Sequence, residues 1–203
     1  GVNTISAANV RFGGGGNFAG QNVVIGLGQD NRINASGEFV IGFFQGNGSV
    51  LFQAGLTNPS LTVRGAGGGV NPVPLMTVAS PNSGNQSSTG ILDLTGGSLD
   101  VIATEFNVAR HFANAGGTAA TGTVTMPAGS VVATTVNLAA KTGTSGAPTL
   151  TGTFTQGGGT VTAFSLYLGN NANSETPTLR AYFNPTGGVL YAGTIVGVGA
   201  TFN

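Results

Sequence analysis

Apolar residues return along this chain in a frame of about 30 residues, and inside each frame they alternate with polar ones. Phe154-Thr155-Gln156-Gly157-Gly158-Gly159-Thr160-Val161, followed by Leu166-Tyr167-Leu168-Gly169, shows the frame in its fullest form. Glycines that read as corners fall at Gly16, Gly48, Gly97, Gly129, Gly159 and Gly188, at intervals of 32, 49, 32, 30 and 29 residues. Five residues before most of them stands an apolar residue (Phe43, Leu92, Val124, Phe154, Phe183), and two after each comes Phe18, Val50, Leu99, Val131, Val161 or Leu190. A second apolar pair follows: Val23/Ile25, Leu61/Val63, Phe106/Val108, Val136/Leu138 and Leu166/Leu168, with Ile195 alone in the last copy. Pairs separated by two have the period of a strand. Each frame therefore predicts two or three short strands joined at glycine bends, too little to bury its own apolar face. Stacked frames would share one core, which is the logic of a solenoid. The expected inward ladders are Val124/Phe154/Phe183, Leu99/Val131/Val161/Leu190 and Phe106/Val136/Leu166/Ile195, with neighbours about 4.8 Å apart.

One interval breaks the rhythm. From Val63 to Leu92 the chain uses 29 residues where Leu138 to Phe154 uses 16, so about 13 are extra. Residues 65–90 are rich in Gly, Pro and Ser, and prolines at 72, 74 and 81 argue against a central strand. The segment reads as an inserted surface loop in a single domain spanning 1–203.

Composition narrows the class. The 203 residues include 37 Gly, 40% are hydrophobic, and six basic side chains balance six acidic ones. Disorder needs low hydrophobicity and high net charge, which this chain lacks. Thr, Ser and Asn fill the positions between β-branched, aromatic and Leu residues, which is strand and turn material. No 3.6-residue period is visible, so almost no helix is expected. With no Cys there is no disulfide framework and no thiolate metal site. No stretch approaches the roughly 20 apolar residues of a spanning helix. A neutral chain also lacks the basic stripe that phosphate backbones demand, so nucleic acid is not an expected partner.

The frames at 154–161, 166–171 (Leu-Tyr-Leu-Gly-Asn-Asn) and 182–190 (Tyr-Phe-Asn-Pro-Thr-Gly-Gly-Val-Leu) resemble the β-helix repeats of large secreted bacterial surface proteins, including autotransporter-type passengers. The resemblance is strongest from about residue 90 onward. It implies an all-β, right-handed parallel β-helix (β-solenoid), here of about six to seven coils near 30 residues each. It further implies an exported, extracellular protein serving as stalk, adhesin or surface layer. The crossover preference of parallel strands favours the same hand.

Chemistry-bearing residues are few. Asp93, Asp100 and Glu105 lie in one frame with Arg110 and His111, the only place where carboxylates, a guanidinium and an imidazole gather. A polysaccharide lyase or glycosidase would use paired carboxylates as acid and base. Asp93 and Asp100 flank Leu92, Leu94 and Leu99, however, and so should point into water. His111 is the sole His, and the regular Asp spacing of calcium-binding β-rolls is missing. No catalytic, cofactor-binding or metal-ligating residue is assigned, and no cofactor is expected. Thr123-Val124-Thr125 and Thr153-Phe154-Thr155 would stack as two outward hydroxyl rungs, of the kind that ice-binding or glycan-binding solenoids display. Asp93 and Asn184 take the equivalent places in adjacent frames. Asn34-Ala35-Ser36, Asn47-Gly48-Ser49 and Asn85-Gln86-Ser87 fit the glycosylation sequon, which chance also supplies in a chain this rich in Asn and Ser.

The ends carry a separate expectation. The chain opens on Gly1, which reads as a processed segment or a fragment with any export signal removed. No capping frame is visible, and Phe202-Asn203 repeats Phe183-Asn184 as though another copy were beginning. Uncovered coils expose strand edges and core, so either the array continues or another molecule covers it. Identical subunits joined head to tail make an open filament. The expected function is a non-enzymatic, extracellular structural subunit of a fibre, stalk or filament that self-associates end to end. An adhesin using the Thr rungs or the 65–90 segment to touch a glycan or a cell surface is the alternative.

Overall fold

The computed structural model describes residues 1–14, 21–44, 46–81, 87–112, 119–144, 146–172 and 176–198, with the backbone of 201–202. Strands in chain order are β1 (Val2–Phe12), β2 (Asn22–Leu27), β3 (Asp30–Phe43), β4 (Asn47–Phe52), β5 (Ser60–Arg64), β6 (Val73–Ser80), β7 (Ser88–Asp93) and β8 (Ser98–His111). They continue as β9 (Ala120–Met126), β10 (Gly129–Lys141), β11 (Thr149–Gln156), β12 (Thr160–Asn171), β13 (Thr178–Pro185), β14 (Val189–Gly197) and β15 (Thr201–Phe202). Among the described residues there is no helix. None is therefore long and apolar enough to cross a membrane.

Every strand pairing is parallel, and the strands sort into two sheets. The long sheet runs β1-β3-β5-β8-β10-β12-β14, with β6 continuing the coil of β5 between β3 and β8; the short sheet runs β15-β13-β11-β9-β7-β4-β2. Each coil contributes one strand to each sheet, except that the third gives both β5 and β6 to the long sheet; from β1 to β14 the fold is a β-solenoid of about six turns, seven strand levels high. The core lies between the sheets because side chains alternate across each strand. In β9 the buried residues are Ala120, Gly122, Val124 and Met126, and the threonines between them face outward.

Apolar columns run the length of the molecule. Val10, Phe39, Met76, Phe106, Val136, Leu166 and Ile195 are successive partners, as are Ile5, Ile33, Val63, Val101, Val131, Val161 and Leu190. The first includes the expected ladder Phe106/Val136/Leu166/Ile195. The second corrects the other: Leu99 pairs with Gly129, and Val101 is the partner of Val131. In the short sheet Val50, Leu92, Val124, Phe154, Phe183 and Phe202 share a column, as expected from Leu92 onward. Earlier in the chain the expected frame is out of phase. Val23/Ile25 belongs to the short sheet, Leu61/Val63 aligns with Leu99/Val101, and Phe43 aligns with Ser80.

The segment 65–90 is not one loop. Val73–Ser80 is a strand paired on both sides, to β3 and to β8. The true insertion is shorter: nine residues, 64–72, stand where β8 has Ile102 alone between the partners of Val63 and Val73. Pro74 fits inside this central strand because it occupies the position where the long sheet's pairing is interrupted. Val73 and Leu75 pair with Ala103 and Glu105, leaving Pro74 opposite Thr104; Thr134, Phe164 and Gly193 stand at the same skipped position in later coils. A missing N–H costs nothing where no ladder bond is made. Arg64 fastens the insertion: its Nε donates to Gly69 O, while Nη1 donates to Val63 O and Asp100 O, each at 2.8 Å.

Two kinds of glycine close the coil. Gly129, Gly159 and Gly188 are corners with φ of 106°, 72° and 83°, a conformation costly for residues with a Cβ. Gly48 is not a corner; it lies inside β4 and heads the buried column Gly48, Gly90, Gly122, Gly152, completed by Ala181. This column packs on a left-handed bend of the long sheet, formed by Gly42, Ala79, Ala109, Ala139 and Gly169 with φ between 59° and 81°. A Cβ on Gly90, Gly122 or Gly152 would lie 2.3, 2.6 or 2.7 Å from the backbone N of Ala79, Ala109 or Ala139. The two backbones approach this closely because no side chain separates them.

Candidate functional site

The sequence's one gathering of charges is dispersed by the fold. Asp93 ends β7 in the short sheet, where its carboxylate accepts from Thr95 N and Oγ1 at 3.0 and 2.6 Å. Asp100 stands early in β8 and pairs with Arg64 at 2.5 Å. Glu105, farther along β8, accepts from Asn137 Nδ2 at 3.2 Å and lies 3.8 Å from Arg110 Nε. Arg110 also sits over the Phe112 ring, 5.0 Å from its centroid. Each carboxylate is thus engaged separately. Among the described residues no group of three His, Cys, Asp or Glu could hold a metal ion.

His111 ends β8 fully buried, with neither ring nitrogen hydrogen-bonded. Its register partner is the equally buried Lys141, whose Nζ donates to Gly143 O at 2.7 Å. Burial, and then the Lys141 charge, push the His111 pKa below its ordinary 6.5. The folded state therefore prefers the neutral ring, while the unfolded chain takes up a proton as pH falls through about 6.5. Stability from this group is present at neutral pH and is lost as pH falls through that window toward the lower folded value. Thermal unfolding followed between about pH 7 and pH 5 is expected to show a falling midpoint, and a His111→Leu variant a flatter profile.

The hydroxyl array is wider than the sequence pattern suggested. Thr121, Thr123 and Thr125 pair in register with Thr151, Thr153 and Thr155. Thr89, Ile91 and Asp93 border the array on one side, and Arg180, Tyr182 and Asn184 on the other. Two rungs remain the limit, as expected. Of the sequons, Asn34 lies in β3 and donates to Ser6 Oγ at 3.2 Å, and Asn47 bonds Asn22 and Thr89 across its sheet. Asn85 lies outside the described residues.

The features with most unpartnered surface are the two end coils and one groove. Val2 and Ile5 of β1 are 59% and 44% exposed, and Val189, Tyr191 and Ile195 of β14 are 47%, 61% and 51% exposed. The groove runs over the long sheet's outer face, with Phe164 73% exposed. Comparison with protein-family models, curated proteins and solved structures finds no match. Sequence reasoning missed the groove because Ile102, Val132 and Phe164 look like ordinary strand residues. Only their phase against the inward columns marks them as outward, and that phase reverses at the skipped position: Val101 and Ala103 are buried, then Phe106 and Val108.

Proposed function

We propose that this protein is a non-enzymatic, extracellular β-solenoid subunit of a fibre, stalk or filament, in which copies stack head to tail. The carrying observation is that the core columns run through every described coil, and that β1 and β14 each pair within this chain on one side only. β1 presents Ile5, Val10 and Phe12; β14 presents Leu190, Ile195 and Gly197 at the matching levels. Solenoid edges are ordinarily blunted with charge or proline to prevent such pairing. Here β14 carries neither, and β1 carries only Arg11, which is bound to Glu38. A second copy laid parallel on β14 would continue each column by one coil rise of about 4.8 Å and satisfy the edge hydrogen bonds. The resemblance to secreted surface repeats supports an extracellular setting, and the crossover preference supports a right-handed coil. The separate engagement of Asp93, Asp100 and Glu105 favours a scaffold over a hydrolytic site.

Electron microscopy of the purified 203-residue chain is expected to show filaments with an axial repeat of about 34 Å, seven coils at the strand spacing. Ile195→Lys or Ile5→Lys should abolish them while leaving the thermal midpoint nearly unchanged, because both sites are already half exposed. A chain that stays monomeric in sedimentation at high concentration would sink the reading.

A further inference from the structure

We propose that His111 and Lys141 together hold one small monovalent anion of the chloride type. Past the left-handed bend at Ala109 and Ala139, β8 and β10 run on for two residues in parallel pairing, which sets His111 directly beside Lys141 in successive coils. Both side chains are fully buried. Thr142 N and Gly143 N donate to the His111 carbonyl at 2.8 and 3.2 Å, so the turn at 142–143 closes on the histidine. Lys141 Nζ donates to Gly143 O of that turn at 2.7 Å. An ammonium carries three N–H donors, and this bond uses one. Both ring nitrogens of His111 are buried without a hydrogen bond. Two nitrogen-bearing groups thus stand side by side with donors unfilled, where buried polar groups are ordinarily paired.

The pair also lacks a counter-charge. Neither residue joins an ion pair among the described residues. β8 packs against β5, β6, β9, β10 and β11. Of these, β6, β9 and β11 carry no charged residue, β10 carries Lys141 alone, and Arg64 of β5 is bound to Asp100. On β8 itself Glu105 accepts from Asn137 Nδ2 and lies near Arg110. β12, which sets Asn171 beside Lys141, adds no charged residue, and Tyr167 is its one titratable group. Every carboxylate of these strands is therefore engaged elsewhere. A buried cation without a counter-charge is costly, and burial followed by the Lys141 charge holds the His111 pKa below its ordinary 6.5. An anion against Nζ offsets the Lys141 charge and accepts the unfilled donors. The pair supplies two spare Nζ protons and one ring N–H, which suits an ion with one charge and no fixed acceptor geometry. Sulfate would bring a second charge with nothing to balance it, and a large organic anion does not fit a site closed to solvent.

His111 is the chain's sole histidine, so its ring reports on the site directly. The ring is titrated by NMR in the full chain, carrying Ile195→Lys to hold it monomeric, in sodium chloride, gluconate or sulfate at matched ionic strength so that general screening cancels. Chloride is expected to raise the His111 pKa by about half a unit or more over gluconate, because a nearby negative charge favours the protonated ring. The thermal midpoint at neutral pH should rise by about 2 °C or more as chloride goes from about 10 mM to about 300 mM, with bromide acting alike. Bromide-soaked crystals should show an anomalous peak against Lys141 Nζ. Lys141→Met, close in volume to the parent residue, should raise the His111 pKa in gluconate and abolish the chloride response; the measurements on the Lys141 protein stand whether or not that variant folds. Equal titration in chloride and gluconate, an equal pKa response to sulfate, or no bromide peak at Lys141 would overturn the proposal. So would a lower His111 pKa in Glu175→Gln: Glu175 lies outside the described residues, and its carboxylate would then be the counter-charge.

Discussion

Replacing Gly152 with alanine is expected to cost about 3 kcal/mol or more, as backbone overpacking does in a rigid core. The added Cβ would stand 2.4 Å from Val108 O and 2.7 Å from Ala139 N, both backbone atoms that no rotamer change can move aside. Val108 and Ala139 belong to β8 and β10, each held by parallel ladders on both sides, so relief requires the two sheets to part. The next coil shows how a methyl is accommodated there. Ala181 takes the place of Gly152, and the left-handed bend of that coil is Gly169 in place of Ala139. The double variant Ala139→Gly/Gly152→Ala keeps both clashing backbone atoms and is expected to recover only the left-handed strain of Ala139, about 1 kcal/mol. Gly96→Ala is the control. It has φ of 85° but nothing within 4 Å of its Cβ, so it should cost only the left-handed strain of about 1–2 kcal/mol. Urea denaturation of the four proteins measures all of this, and equal losses for Gly152→Ala and Gly96→Ala would refute the close-packing account.

These glycines also explain where reading the sequence succeeds and where it slips. From residue 90 onward the coils keep nearly constant length, and Leu92, Val124, Phe154 and Phe183 could be placed on one column from spacing alone. Before residue 90 the same frame fails because two glycine populations look identical in letters. Gly129 is a corner with positive φ, whereas Gly48 is a strand residue required by a facing backbone. Taking Gly48 as a corner shifted Phe43 into a column that belongs to Val50. The left-handed bend was illegible for the opposite reason: three of its members are Ala79, Ala109 and Ala139, where composition points to glycine. Their conformation is imposed by the stacked coils, a tertiary effect that overrides local preference. Pro74 misled in the same way, since its strand tolerates proline only at the one position where the ladder skips.

The charged cluster was legible as a set of letters and not as a site. Asp100 and Glu105 are five residues apart on one strand, and the skipped position at Thr104 lies between them, so each is captured by a different neighbour. The end coils were more legible. The expectation that Phe202 repeats Phe183 is met by the register, which pairs them directly.

Phe154→Ala should be the most damaging single deletion in the apolar columns, at about 4 kcal/mol. Its ring is fully buried, stacked on Phe183 with centroids 5.6 Å apart and edge-on to Phe106 at 6.0 Å, so it joins the column of one sheet to that of the other. Neighbouring coils are fixed by their own ladders and cannot collapse into the void, which places the cost near the upper end for aromatic truncation. In a solenoid, each coil is stabilised by its nearest neighbours, so a defect in the coil of β11 also weakens the link to every coil beyond it. Calorimetry is therefore expected to resolve the single transition of the parent into two, the coils from β11 to β15 melting first. Phe154→Leu should restore one transition and more than half of the lost stability. A single transition in Phe154→Ala, shifted as a whole, would mean that the coils are coupled more tightly than nearest-neighbour stacking provides.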